Sequence, residues 1–312
     1  MKKVLIPTAL DAIAKDTLEA HGGYTVVQAP KCDLAQLAAE NPDAHALIVR
    51  SEKVTAEIID ALPSLKVVVR AGAGYNTIDI KYARQKGIDV MNTPGANSNA
   101  FAEEVIALIL ADARHLVAAD PSCRAGKWEK SSFMGTELTG KTLGIVGLGY
   151  IGRLVAKRAS GFDVKVLGYD PFVPDEKARE FGIEPVALAD LFARADYVSL
   201  HLPENDETRG MINRELLSRM KPGATLINCA RAGLLVEDDL RAVRAEKGIR
   251  FLNDVYAKDA EGPKSVADIA DLMVPHLGAS TREANRKAAE FAARELIDLD
   301  DNGIGNAIVN RA

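Results

Sequence analysis

The sequence predicts an α/β protein of two parallel-sheet lobes, on three observations. Its 312 residues exceed what one hydrophobic core usually serves. Short β-branched runs alternate with amphipathic stretches along nearly the whole chain, which implies right-handed βαβ units and sheets covered on both faces. The alternation breaks once, at a turn-rich connector near Asn92, and then resumes.

In the first half, strands are predicted at 4–6, 24–27, 46–49, 67–69 and 88–91, with helical stretches around 12–20, 33–39, 55–61 and 77–86. Gly87 after Lys86 is a helix stop, with a cation near the negative end of the dipole. The connector Thr93-Pro94-Gly95-Ala96-Asn97-Ser98-Asn99 leads into a long helix over 100–118, whose apolar face is Val105, Leu108, Ile109 and Leu116. A polar loop containing Trp128 follows. The second series starts at Thr142, with strands at 143–146, 164–169, 197–200, 225–228, 251–253 and 272–274. A last helix runs over 281–300 and ends near Gly303.

Composition excludes several classes. Apolar residues at 47% and charged residues at 27% suit a globular chain and exclude a disordered one. The net charge of −5, with no Lys/Arg run, argues against nucleic acid as a partner. The densest apolar stretch, seven residues from Val105 to Ala111, falls far short of the roughly 18 that a membrane span needs, so no membrane partner is expected. Pro7 and Asp11 cut the initial apolar run too short for a signal peptide. Cys32, Cys123 and Cys229 form no CxxC, which predicts a reducing, cytoplasmic compartment. The five histidines include no HxxxH pair, so no metal site is expected.

The strongest motif is Gly147-Leu148-Gly149-Tyr150-Ile151-Gly152, set between a predicted strand and a predicted helix. The first glycine permits the tight turn, the second lets a pyrophosphate approach the backbone, and the third lets helix and strand pack closely. The helix N-terminus offers unpaired N–H groups to an anion. Asp170 ends the next strand eighteen residues past Gly152, close to the ~20 expected for a carboxylate that binds a ribose 2′-OH. Such a carboxylate repels a 2′-phosphate, and neither Pro171 nor Phe172 supplies a cation, so NAD is favoured over NADP.

Ligands of open parallel sheets bind beyond the carboxyl ends of the strands. In the second half those positions hold His201, Cys229-Ala230-Arg231, Asp254 with Asp259 five residues on, and Pro275-His276-Leu277-Gly278. Arg231 suits a clamp for a substrate carboxylate and carbonyl, because a guanidinium binds bidentately and stays charged. His276 suits proton exchange with the substrate oxygen. A carboxylate beside it favours the imidazolium and fixes the tautomer, and Asp259 is the candidate. His201 is equally a ligand contact or a cap of its own loop.

These residues, with Val49-Arg50-Ser51, Arg70-Ala71-Gly72-Ala73-Gly74, Met91-Asn92-Thr93-Pro94, Gly126-Lys127-Trp128-Glu129 and Phe133-Met134-Gly135-Thr136-Glu137-Leu138, resemble the D-isomer-specific 2-hydroxyacid dehydrogenases over nearly the whole chain. Within that family the chain looks most like the branch acting on 3-phosphoglycerate. The resemblance implies two Rossmann-like or flavodoxin-like lobes, the coenzyme lobe (98–284) inserted into a substrate lobe (1–97 plus 285–312). It also implies NAD as cofactor, a homodimer formed through the coenzyme lobe, and cleft closure around a small 2-hydroxyacid.

Carried over residue by residue, Arg231 and His276 take the catalytic positions. Gly147, Gly149, Tyr150, Ile151, Gly152, Asp170, Cys229, Ala230 and Asp254, with Ala73 and Gly278, take positions that contact NAD. Arg50, Ser51, Arg70, Ala71, Gly72 and Gly74 take substrate positions, the loop from Ala71 to Gly74 offering N–H groups to the carboxylate. Arg50, Arg70 and Lys130 are candidates for a substrate phosphate, although Lys130 reads equally as surface charge. The family places Glu followed by Pro where the histidine is oriented. Here Asp259 is followed by Ala260, it lies 28 residues after Arg231, one short of the usual interval, and Glu261 competes for the role. The chain ends after the catalytic portion, so feedback through appended regulatory domains is not expected. The expected reaction is reversible hydride transfer between 3-phosphoglycerate and NAD+. Its rivals are reduction of a simpler 2-oxoacid such as glyoxylate or hydroxypyruvate, and NAD sensing by a corepressor-like protein.

Overall fold

A computed structural model describes residues 1–30, 32–258 and 260–311. The chain forms two compact units, one of Met1–Asn97 with Ser280–Ala312 and one of Ser98–Ala279, so the return lies a few residues before the expected 285.

The first unit alternates β1 (Lys2–Ile6), α1 (Ile13–His21), β2 (Tyr24–Gln28), α2 (Leu34–Glu40), β3 (Ala46–Val49), α3 (Ala56–Asp60), β4 (Val67–Arg70), α4 (Ile80–Gln85) and β5 (Asp89–Met91). Its five strands are all parallel, in the order β2-β1-β3-β4-β5. Both faces are covered, as the continuous apolar strands require. Val4, Ile6, Ile48 and Val69 face one cluster, and Leu5, Leu47, Val49 and Val68 face the other.

The second unit contains α5 (Ser98–Ala113), α6 (Leu116–Arg124), β6 (Thr142–Val146), α7 (Tyr150–Ala159), β7 (Lys165–Tyr169), α8 (Asp175–Glu180), β8 (Glu184–Pro185), α9 (Leu188–Arg194), β9 (Tyr197–Leu200), α10 (Arg214–Leu217), β10 (Thr225–Asn228), α11 (Glu237–Lys247), β11 (Arg250–Asn253) and β12 (Leu272–Met273). Its seven strands are parallel, in the order β12-β11-β10-β9-β6-β7-β8. From β6 the chain winds outward one way through β7 and β8, then the other way from β9 to β12. All carboxyl ends therefore share one edge, with the switch of direction between β6 and β9. The predicted α/β class with two parallel sheets holds.

Two elements differ from the sequence reading. The helix expected over 100–118 is two helices, because His115 adopts a left-handed conformation (φ +53°) between α5 and α6. Beyond that break Leu116, Val117, Trp128 and Met134 are exposed, at 55%, 63%, 88% and 80%. The strand β8 was not expected. Its two residues include Pro185, which a sheet tolerates only at an edge.

The final helix, α12 (Arg282–Asn302), belongs to the first unit. Ala288, Ala289, Ala292 and Ala293 are buried, and side chains this small let α12 lie close to the sheet. Near its end the buried Asp300 carboxylate accepts hydrogen bonds from Tyr24 Oη (2.9 Å) and pairs with His45 Nε2 (2.9 Å) and Lys2 Nζ (3.0 Å). Burial opposes its charge, but the contacts with His45, Lys2 and Tyr24 outweigh burial and hold it below the usual carboxylate range. The following residues close the sheet edge: Val309 N donates to Val90 O (2.8 Å), while Asn310 accepts from Val90 N and donates to Ile88 O, each at 2.9 Å.

Candidate active site

The carboxyl edge of the second sheet collects the polar residues that the sequence singled out there. At the end of β6 the backbone turns sharply, with Gly147 at φ +98°. A Cβ at 147 would lie 2.5 Å from His201 O, and one at 152 would lie 2.0 Å from Gly147 O, so both positions require glycine. Gly149, by contrast, has no neighbouring heavy atom within 4 Å of such a Cβ. It caps α7 with no side-chain bond, which leaves the N–H groups of the first turn directed at open space. Such a loop can receive a diphosphate. Asp170, at the end of β7, accepts from Leu148 N (2.8 Å) and Phe172 N (2.9 Å), which ties it to the glycine loop and leaves lone pairs for a ribose. The residues present therefore fit NAD.

The loop after β9 is chemically quiet. His201 Nε2 lies 2.9 Å from Ser199 Oγ, and burial pushes the imidazole down to about 4, so it is uncharged at neutral pH. After β10, Asn228 brackets its own turn by accepting from Ala230 N (3.1 Å) and donating to Arg231 O (3.0 Å). The Arg231 guanidinium donates to Ala230 O at 2.7 Å. Cys229 is buried, and burial with the nearby Glu104 and Asp254 carboxyls pushes its thiol well up. It is a neutral thiol and no nucleophile.

After β11, Asp254 is fully buried. Its N–H donates to Asn228 O (3.0 Å), and its carboxylate accepts from Leu277 N (2.6 Å) and Gly278 N (3.1 Å). These bonds link the Arg231 turn to the His276 turn. His276 itself has φ +54°, an uncommon conformation for a residue with a side chain, and its N–H donates to Val274 O at 3.0 Å. Tyr256 Oη donates to the same carbonyl at 2.8 Å. Asp259, the expected orienting acid, lies outside the described residues, and Glu261 is exposed.

The sequence reading missed Glu104. This residue of α5 lies within hydrogen-bonding reach of the Asp254 carboxylate, and burial, the Asp254 charge and that contact push its carboxyl up to about 8. Burial also pushes Asp254 up, against the two N–H bonds it accepts. The available signal was an acid beside the apolar face formed by Phe101, Val105 and Leu108.

The substrate candidates Arg50, Ser51 and Arg70 to Gly74 lie in the first unit, at the ends of β3 and β4. Arg70 Nε donates to Arg50 O (3.0 Å), and Glu52 accepts from Arg50 N (2.8 Å) and Ser51 N (3.1 Å). The Arg70 side chain crosses directly over Gly72 (φ +152°), where any Cβ would overlap its guanidinium. Asn92 Nδ2 donates to Ala73 O at 2.6 Å. Lys130 lies in an exposed single turn of the second unit.

Residues 106–278 match the family model of the D-isomer specific 2-hydroxyacid dehydrogenase, NAD binding domain, more than half of the chain. The chain belongs to this family. As a 2-hydroxyacid dehydrogenase family member it is 39% identical to human D-3-phosphoglycerate dehydrogenase over 99% of its own length and 58% of the relative's. The chain thus spans a little over half the length of the curated relatives it matches. Its fold is similar to the NAD+-bound 3-phosphoglycerate dehydrogenase of Entamoeba histolytica, with a TM-score of 0.81 and 33% identity over 100% of this chain and 99% of that one. It is also similar to a glyoxylate reductase from Paecilomyes thermophila, with a TM-score of 0.84 and 27% identity over 99% and 97%. Among the described residues no helix is long and apolar enough to cross a membrane.

Proposed function

We propose that the chain catalyses reversible, NAD-dependent oxidation of a D-2-hydroxyacid to its 2-oxoacid, with 3-phosphoglycerate as the preferred substrate. The observation that carries this reading is the hydrogen-bonded link from Asn228 through Asp254 to Leu277, which joins a guanidinium turn to an imidazole turn at the edge bearing the dinucleotide cradle. Bound NAD+ supplies the hydride acceptor. The Gly147–Gly152 loop and the α7 N-terminus hold its diphosphate, and Asp170 holds a ribose hydroxyl.

His276 takes the substrate hydroxyl proton and returns it in the reverse direction. Arg231 clamps the carboxylate and stabilises the oxyanion that develops as the proton leaves. Asp259 is the proposed orienting acid for His276. In the first unit, the N–H groups from Ala71 to Gly74 are the proposed holders of the carboxylate, and Arg50 and Arg70 of a phosphate. The likeness to human and Entamoeba phosphoglycerate dehydrogenases supports this substrate over glyoxylate.

The test is NADH absorbance with 3-phosphoglycerate, D-glycerate, D-lactate, glyoxylate and hydroxypyruvate. Turnover of 3-phosphoglycerate well above D-glycerate is the expected result, and turnover of glyoxylate alone assigns the simpler reductase. Arg231→Ala lowers kcat about 10²-fold or more, and a loss within threefold refutes its role.

We further propose a homodimer. Leu116, Val117, Trp128 and Met134 are large apolar side chains left exposed beyond the His115 break, and the family resemblance points to a second copy that covers them.

A further inference from the structure

The helix α5 reaches the His276 turn and its Asp254 anchor at two points, and one of them is a half-buried acid. Phe101 packs so closely on Gly278 that a Cβ there would lie 2.0 Å from the Phe101 ring. Three residues on, and so on the same face, Glu104 presents its carboxyl to Asp254. Its Oε2 is buried and has no hydrogen-bond partner among the described residues. Two carboxylates in contact, out of water, cannot both be ionised. Asp254 accepts two backbone N–H bonds, which favour its charged form; Glu104 Oε2 accepts none. The proton therefore sits on Glu104.

We infer that Glu104 is a positioning residue: it stays protonated, donates its O–H to the Asp254 carboxylate, and through Asp254 fixes the turn that carries His276. This inference rests on the function proposed above. A charge-assisted O–H···O⁻ bond is among the strongest available to a side chain. Without it Asp254 would hold a buried charge with one face unpaired, and the left-handed His276 would lose part of its support. Among the described residues, the neutral Cys229 thiol and His276 are the other titratable groups beside the pair. One shared proton leaves a single negative charge on the pair.

The experiment uses the whole protein with glutamate carboxyl carbons labelled with 13C and histidine rings with 15N. The expected result is one glutamate resonance titrating near pH 8, absent in Glu104→Gln. In Glu104→Gln, whose amide replaces the donated proton, the His276 ring signal stays sharp and kcat for hydroxyacid oxidation stays within about threefold of wild type. In Glu104→Ala the ring signal broadens and kcat falls about tenfold or more at little-changed KM. In the oxidative direction wild-type kcat falls above about pH 8 as the donor is lost, and Glu104→Gln keeps its plateau. The inference is overturned if every glutamate titrates in the ordinary range, or if Gln perturbs His276 as much as Ala. Absence of turnover with every acid overturns the proposed function instead, and the two resonance readouts then still decide the role of Glu104.

Discussion

Asp254 Oδ1 accepts a 2.6 Å hydrogen bond from the N–H of Leu277, the residue directly after His276. Its Oδ2 accepts from Gly278 N, so both oxygens are committed to one turn. An asparagine offers one oxygen and turns its NH2 group against the second N–H. Asp254→Asn is therefore expected to lower kcat for the proposed reaction at least tenfold while the protein remains folded, because a small displacement of an acid/base group is costly. Steady-state kinetics beside circular dichroism check this, and unchanged kcat would separate Asp254 from His276.

The glycine loop makes a sharper prediction. An alanine at 152 would bring its methyl within 2.0 Å of Gly147 O, which only displacement of α7 or the turn relieves. Gly152→Ala should weaken NAD binding at least tenfold by calorimetry. Gly149→Ala meets no protein atom, so any loss of affinity there reports the ligand's own approach.

Asp300 ties α12 to β1, β2 and the turn before β3 through Lys2, Tyr24 and His45. Replacing it with alanine leaves the buried Tyr24 hydroxyl without its acceptor, at a cost of about 1–3 kcal/mol. Its folded-state pKa is depressed, so the stabilisation is complete above the unfolded value of about 4 and is lost as pH falls through the folded one. Thermal unfolding should show Asp300→Ala several degrees below wild type at pH 7, with the gap closing below about pH 4. A gap that widens on acidification would contradict this.

Trp128, at 88% exposure, is the largest apolar side chain on the surface beyond the His115 break. In analytical ultracentrifugation the wild type is expected as a dimer and Trp128→Ala shifted toward monomer, because large aromatic anchors dominate interfaces. A monomeric wild type would refute the homodimer.

Much of this architecture is legible in the chain because the physics is local. The strand runs 46–49, 197–200 and 225–228 are short and rich in β-branched, aliphatic or aromatic residues, and each is a strand. Gly87 and Gly303, read as helix stops, adopt the left-handed conformation at φ +73° and +67°. The break at His115 was not legible: no glycine or proline marks it, and the apolar spacing runs on through Leu116. Nor was the Glu104 contact. Two acids at positions 103 and 104 look alike in sequence, and only tertiary packing leaves the first exposed and brings the second, half-buried, against Asp254. Asp254 was read as a cofactor contact, whereas its hydrogen bonds to Leu277 and Gly278 link residues 23 and 24 positions away, a pairing that no local pattern encodes.

The first unit takes its outer helix and the closure of its β5 edge from residues beyond 280, whereas the second unit is one uninterrupted stretch. On the ribosome, where compact units fold as their residues emerge, the second can be finished while the first still waits for α12. Until then the face that Ala288, Ala289 and Ala292 will cover stays open to solvent, and it is there that a newly made chain is most vulnerable to chaperone capture or aggregation.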